Sequence, residues 1–272
     1  MLGQAVATAA SRLGHDVVAL SRADLDITDA DHVRRVIAAA EPRAVVNCAA
    51  WTDVDGAETA EAVATAVNGA GAGHVARAAV ENGARLVHVS TDYVFDGTKG
   101  EPWVESDPVA PIGAYGRSKL AGEEAVAEAG GEYAIVRTAW LFGAGGRNFV
   151  DTMLALGEER DEVTVVADQV GSPTWSGHLA EALVELAERG GDVGIFHAAG
   201  RGACSWYELA VEVFDRANVR CRTLPTTSDR FPRPACRPAY SVLASERDEA
   251  PVLPRWQDGV AAYLADRTVV AG

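Results

Sequence analysis

The 272 residues, 48% hydrophobic and 23% charged, have the balance of an ordinary globular chain, long enough for one large α/β domain with or without a smaller appendage. A formal net charge of −15 argues against a nucleic-acid or anionic-membrane partner, and no apolar run approaches the ~20 residues needed to cross a bilayer. No basic stretch followed by an apolar core opens the chain, and four scattered cysteines read as free thiols in a reducing cytoplasm, without metal-ligand spacing.

In chain order, the first two-thirds alternate amphipathic stretches with short β-branched runs. A helical pattern over residues 2–13 leads to a predicted strand at Asp16–Leu20, a helix over 31–40 and a strand at Ala44–Cys48. A long helical pattern over 58–82 precedes a strand at Arg85–Val89, a helix over 115–129 and a strand at Tyr133–Thr138. Such alternation predicts a Rossmann-type doubly wound parallel sheet covered by helices on both faces. Strand-like 162–167 and 193–198 then interleave with helices near 176–189 and 205–217, before a Pro- and Arg-rich segment over 224–238. The expected division is a cofactor-binding region over 1–145 and a mainly substrate-binding region over 146–272, with some segments returning to the first.

The beginning departs from this plan. A doubly wound nucleotide-binding sheet normally opens with a strand and a glycine-rich turn that lets the backbone approach a pyrophosphate. Here Met1-Leu2-Gly3-Gln4 reads as the end of that turn, already running into a helix. A late start codon or a truncation is the expected reason that the strand and the earlier glycines are absent.

The strongest local signal is Tyr115-Gly116-Arg117-Ser118-Lys119 in a chain with only two lysines. On a helix, positions i and i+4 share a face, so phenol and ammonium can address one ligand. A neighbouring cation is expected to lower the phenol's affinity for its proton and make proton exchange with a carbonyl oxygen feasible. The strand at 85–89 runs into Ser90-Thr91-Asp92-Tyr93, placing hydroxyls at the carboxyl end of a parallel strand, where open α/β sheets bind ligands.

These residues resemble the extended short-chain dehydrogenase/reductase superfamily and, more narrowly, the dTDP-4-dehydrorhamnose reductases. The narrower resemblance runs through Asp24–Asp29, Asn47–Asp55, Ser90–Gly97, Ala114–Gly122, Arg137–Gly143, Asn148-Phe149, Asp168–Thr174, Arg237-Pro238 and Leu253–Trp256. It implies that Tyr115 is the general acid, that Lys119 holds the nicotinamide ribose, and that Thr91 orients the carbonyl. Asp92, Tyr93 and Trp140 match positions lining the family's sugar pocket, and Arg237 is assigned to the substrate by charge and position. For the cofactor, Gly3 and Gln4 match the phosphate turn, Asp26 and Ile27 the adenine side, and Ala49, Ala50 and Trp51 the loop under the cofactor. Leu20-Ser21-Arg22 closes the second strand without the carboxylate that selects NADH, which favours NADPH and leaves NADH as the alternative.

The implied activity is NADPH-dependent reduction of the 4-keto group of dTDP-4-dehydro-L-rhamnose, feeding polysaccharide synthesis, by a monomer or homodimer without a metal. Two alternatives stay open. One is another nucleotide-sugar reductase, epimerase or dehydratase, although a dehydratase's Asp-Glu after the threonine is Asp92-Tyr93 here. The other is a non-catalytic partner protein similar to the regulatory subunit of methionine adenosyltransferase.

Overall fold

The computed structural model describes residues 1–270; residues 271 and 272, the end of the expected second region, lie outside it. The main sheet is four parallel strands in the order β1-β2-β3-β8: β1 (Ala44–Asn47), β2 (Arg85–Thr91), β3 (Tyr133–Thr138) and β8 (Gly194–His197). Between β3 and β8 the chain makes the shorter strands β4 (Leu141–Phe142), β5 (Glu162–Val166), β6 (Val170–Gly171) and β7 (Thr174–Trp175); β9 (Cys204–Ser205) and β10 (Arg222–Thr226) follow. The helices are α1 (Leu2–Arg12), α2 (Ala30–Ala40), α3 (Val54–Ala57), α4 (Glu61–Thr65), α5 (Ala72–Glu81), α6 (Ala114–Ala129), α7 (Phe149–Glu159), α8 (Ser176–Glu188), α9 (Trp206–Ala217) and α10 (Trp256–Val270). None is long and apolar enough to cross a membrane.

The two-residue period of the strands sorts their side chains between two cores. Leu86 and Ile135 enter one with Val33, Ile37, Val75 and Val126 from α2, α5 and α6. Val87, Ala134 and Val136 enter the other with Leu2 and Val6 of α1 and Leu179 and Leu183 of α8. A third core joins α7, α9 and α10 to the parallel β5–β10 pair through Val150, Val163, Leu209, Val213 and Val260. Local signals fix the helix starts. Asp29 caps α2 by accepting from the His32 amide, and Ser205 and Glu208 form a reciprocal capping box at α9.

Three expectations need correction. Residues 16–20 form no strand; they run irregularly along the surface with Val18 66% and Leu20 46% exposed. In a doubly wound sheet a strand lies between the second strand and its neighbour on this side, and no described strand occupies that place, so the 16–20 run has no ladder to join. The continuous helix over 58–82 is broken: α4 gives way to a π-helical turn over Ala66–Gly71 before α5. Helices α7 and α10 were not anticipated, although the Asn148 side chain caps α7 through the Asp151 amide.

Candidate active site

The site is assembled at the carboxyl ends of β1, β2 and β3. At the end of β2, the Thr91 oxygen accepts from the Tyr93 amide and caps a short 3-10 turn over Asp92–Val94. This turn aims Asp92 inward, where Thr91 donates to its Oδ1 at 3.0 Å. Helix α6 starts beside it because Gly116 has no side chain: a Cβ there would stand 2.2 Å from the Tyr93 carbonyl oxygen. The close approach sets the Tyr115 and Tyr93 rings edge to face at 5.8 Å.

Nearly two turns on, a Cβ at Gly122 would meet the Asn68 carbonyl oxygen at 2.2 Å, so α6 also lies hard against the π-helical turn. That turn presents Asn68, which is buried and bonded on every side. Its Oδ1 accepts from the Trp51 amide at 2.8 Å, and its Nδ2 donates to the Trp51 carbonyl and to Ser118 Oγ. Ser118 Oγ in turn donates to the Tyr115 carbonyl. Asn68 therefore clamps the Ala49–Trp51 loop to α6, the helix that carries Tyr115 and Lys119. Sequence reasoning missed it; a π-turn, common at functional sites, leaves no periodic signature in an alanine-rich run.

Lys119 is 2% exposed and donates from Nζ to the Val89 carbonyl at 2.7 Å. Burial brings its ammonium down to about 8, with Glu123 and Cys48 opposing. Tyr115 is half-buried, and its phenol is pushed up to about 12 by burial and then by Asp92, with the hydrogen bond to Thr91 opposing. The expected lowering of Tyr115 by a neighbouring cation is not found here: only the hydrogen bond with Thr91 lowers it, against burial and Asp92. Asp92, 2% exposed, is pushed up to about 7 by burial, against hydrogen bonds from Ser241 and Thr91. The phenol of Tyr93 is raised as well, first by burial and then by Asp92.

Beneath the site Glu123 and Arg137, 3% and 2% exposed, pair through two guanidinium nitrogens, and Ser90 Oγ donates to Glu123 at 2.6 Å. The Arg137 guanidinium also lies over the Phe95 ring at 5.1 Å. This brace ties α6 to β2 and β3. Trp140, just past β3, has a left-handed backbone (φ 46°). Its ring stacks on Trp206 of α9 at 3.5 Å with 2° between planes. Gly171 allows this arrangement, since a Cβ there would stand 2.3 Å from Trp140. Trp206, fixed by Nε1 to Gln169 Oε1, was also missed, because its partner lies far away in sequence.

The remaining expected residues are dispersed or engaged. Gly3 and Gln4 lie in the first turn of α1, which has no side-chain cap and so presents free amides. Ser21 donates its hydroxyl to Asp24, Arg22 is exposed, and Asp26 accepts from the Thr28 amide and hydroxyl. Ile27 is 8% exposed and committed to the α2–α5 core, so its side chain is not free beside a ligand. Arg237 is not an open cation either: both its Nη atoms bond Asp55, at 2.9 and 3.0 Å. Among the described residues no group of His, Cys, Asp and Glu side chains could hold a metal. For a nicotinamide dinucleotide the donor set fits: the chain offers a buried amine, a loop clamped by Asn68 and the amide-bearing first turn of α1.

Comparison with known proteins agrees with this geometry. Residues 1–269 match the family description "RmlD substrate binding domain". The chain is 46% identical to a dTDP-4-dehydrorhamnose reductase of Mycobacterium tuberculosis, over 97% of this chain and 89% of that one. A Streptomyces griseus protein of the same name is 47% identical over 92% and 84%. The solved dTDP-4-dehydrorhamnose reductase of Bacillus anthracis, in complex with NADP, superposes with a TM-score of 0.94 at 38% identity, covering 97% of this chain and 95% of that one. The chain belongs to the RmlD family of dTDP-4-dehydrorhamnose reductases.

Proposed function

We infer that the chain is an NADPH-dependent reductase converting dTDP-4-dehydro-L-rhamnose to dTDP-L-rhamnose. The observation that carries the reading is the convergence of Thr91, Tyr115 and Lys119 at the end of β2, where the sheet of this fold receives its ligands. In this reading residues 1–145 mainly hold the cofactor and 146–272 the sugar nucleotide.

Bound NADPH supplies the hydride that C4 of the sugar receives. The protein supplies the proton. With its affinity raised above neutrality, Tyr115 carries a proton at neutral pH and gives it to the C4 oxygen as negative charge develops there. Thr91, within hydrogen-bond reach of the phenol, turns its one hydroxyl proton from Asp92 to the same oxygen and keeps it in line. Lys119 places its amine against the nicotinamide ribose and stabilises the phenolate left behind. Asp92, Tyr93 and Trp140 form the sugar side of the pocket. Arg237 acts through Asp55, holding residues 235–237 against α3 at the pocket mouth. Ala49, Ala50 and Trp51 lie under the cofactor, Gly3 and Gln4 meet its phosphates, and Asp26 and the Ile27 backbone flank the adenine. Ser21 and Arg22 face the ribose 2′-phosphate, which favours NADPH over NADH.

The test is the loss of NADPH absorbance with the keto sugar generated in situ. Tyr115→Phe is expected to lose about 10²–10⁴ in turnover while still binding NADPH. A Tyr115→Phe protein with undiminished turnover would overturn the assignment.

A further inference from the structure

Lys119 is served from below by a buried chain that the mechanism above does not use. His88, 0% exposed, stands on β2 between Asn47 of β1 and Lys119 of α6. Asn47 Oδ1 accepts from the Ala49 amide at 3.1 Å, so the carboxamide must turn its NH₂ group to His88 Nδ1, also at 3.1 Å. Nδ1 is therefore an acceptor. Burial and the charge of Lys119 hold the ring well below the usual histidine range, so it is neutral and carries its one proton on Nε2. That N–H faces Lys119 Nζ at 3.5 Å, longer than a formed N–H hydrogen bond, as expected where two proton-bearing nitrogens meet.

We propose that His88 is a positioning residue for the reduction: locked by Asn47 as the Nε2–H tautomer, it turns a proton and not a lone pair toward the Lys119 amine, and so favours passage of the ammonium proton to the phenolate that Tyr115 leaves.

The other groups around Lys119 do not supply this bias. On α6, Glu123 is neutralised by Arg137 and Ser90, and Tyr115 is a neutral phenol with its proton held above neutrality. After β1, Cys48 is pushed up to about 12 by burial and remains a thiol. On β2, Val89 offers a carbonyl acceptor for one ammonium proton. Burial is the first cause that opposes a charge on Nζ, and the positive end of the His88 N–H dipole, 3.5 Å away, acts in the same direction. Turning the ring proton to Nδ1 would require the Asn47 amide to flip and release the Ala49 amide, which lies in the loop assigned to the cofactor. The protonation of Lys119 is thereby linked to that loop.

The inference rests on the roles given to Tyr115 and Lys119, and two experiments separate the two readings. In protein labelled with ¹⁵N-histidine, ring nitrogen shifts distinguish a bare from a protonated nitrogen; His88 is assigned by single substitutions of the other five of the six histidines. A bare Nδ1 and protonated Nε2 are expected, and a proton on Nδ1 overturns the proposal without any variant of His88 having to fold. In the kinetic experiment His88→Gln offers Lys119 a carbonyl oxygen in place of the N–H. The basic limb of its kcat/KM profile is expected to move up by about one pH unit. A limb coincident with the parent's, in an enzyme that Tyr115→Phe still disables, sinks the role of His88 and leaves the catalytic assignment standing. If Tyr115→Phe remains active, the assignment itself has failed.

Discussion

Replacing Asp92 by asparagine should stabilise the fold while impairing the enzyme, and the gain should depend on pH. Asp92 is 2% exposed, and burial lifts its carboxyl from 3.8 to about 7. An acid whose folded value lies above its unfolded one favours the fold fully below the unfolded value. That contribution is lost as pH rises towards the folded value. A shift of about three units at about 1.4 kcal/mol each sets a ceiling of about 4 kcal/mol for the cost of holding the charge at pH 8. Asparagine escapes this cost and keeps an oxygen to accept from Thr91, but its NH₂ must find the Ser241 hydroxyl or lose about 1–2 kcal/mol. The net gain is about 2 kcal/mol near pH 8, or about 4 °C in Tm for a chain of this size. By pH 4, near the unfolded value of 3.8, most of the gain should be gone, and it vanishes below that value, where the wild-type carboxyl is protonated in both states. Thermal unfolding followed by circular dichroism at pH 4 and pH 8 measures both arms. Asp92→Asn destabilised at pH 8, or equally stabilised at both values, refutes the reasoning.

The Glu123–Arg137 brace makes a second prediction. Arg137→Met strands a buried carboxylate and should cost about 3–5 kcal/mol by urea denaturation, whereas adding Glu123→Leu should restore most of it. A single variant within 1 kcal/mol of wild type would mean that water reaches the pair. Trp206→Ala removes the platform beneath Trp140 and should raise KM for the sugar nucleotide about tenfold, with a smaller effect on kcat. An unchanged KM would show that Trp140 keeps its left-handed backbone unaided.

The parts of the fold legible in the sequence are those whose signal is local. The runs at 44–48, 85–89 and 133–138 became strands of one parallel sheet, and Tyr115 and Lys119 lie on one helix at the carboxyl end of a strand. What escaped depends on partners distant in sequence. Residues 16–20 carry strand-forming side chains, but a strand exists only by pairing, and the propensity of Val17, Val18 and Leu20 cannot show that no neighbour is present. The insertion of a π-turn shifts the helical face by one residue in a stretch where alanine occupies nearly every face. Trp206, Asn68 and His88 are invisible as site residues because each acts through a side chain from another element. The direction of the Tyr115 shift escaped for the same reason: a covalent spacing announces Lys119, while the burial and the Asp92 charge that raise the phenol come from tertiary packing.

Asn68 has a practical bearing on redesign. One carboxamide fastens the Trp51 backbone to the helix of Tyr115 and Lys119, so the loop proposed to carry the cofactor is not an exchangeable cassette. A graft at 49–51 meant to change coenzyme preference would tug on Tyr115, the proposed proton donor. Libraries should therefore vary position 68 and the loop together, or else leave the loop alone and work at Arg22, which lies exposed and outside that clamp.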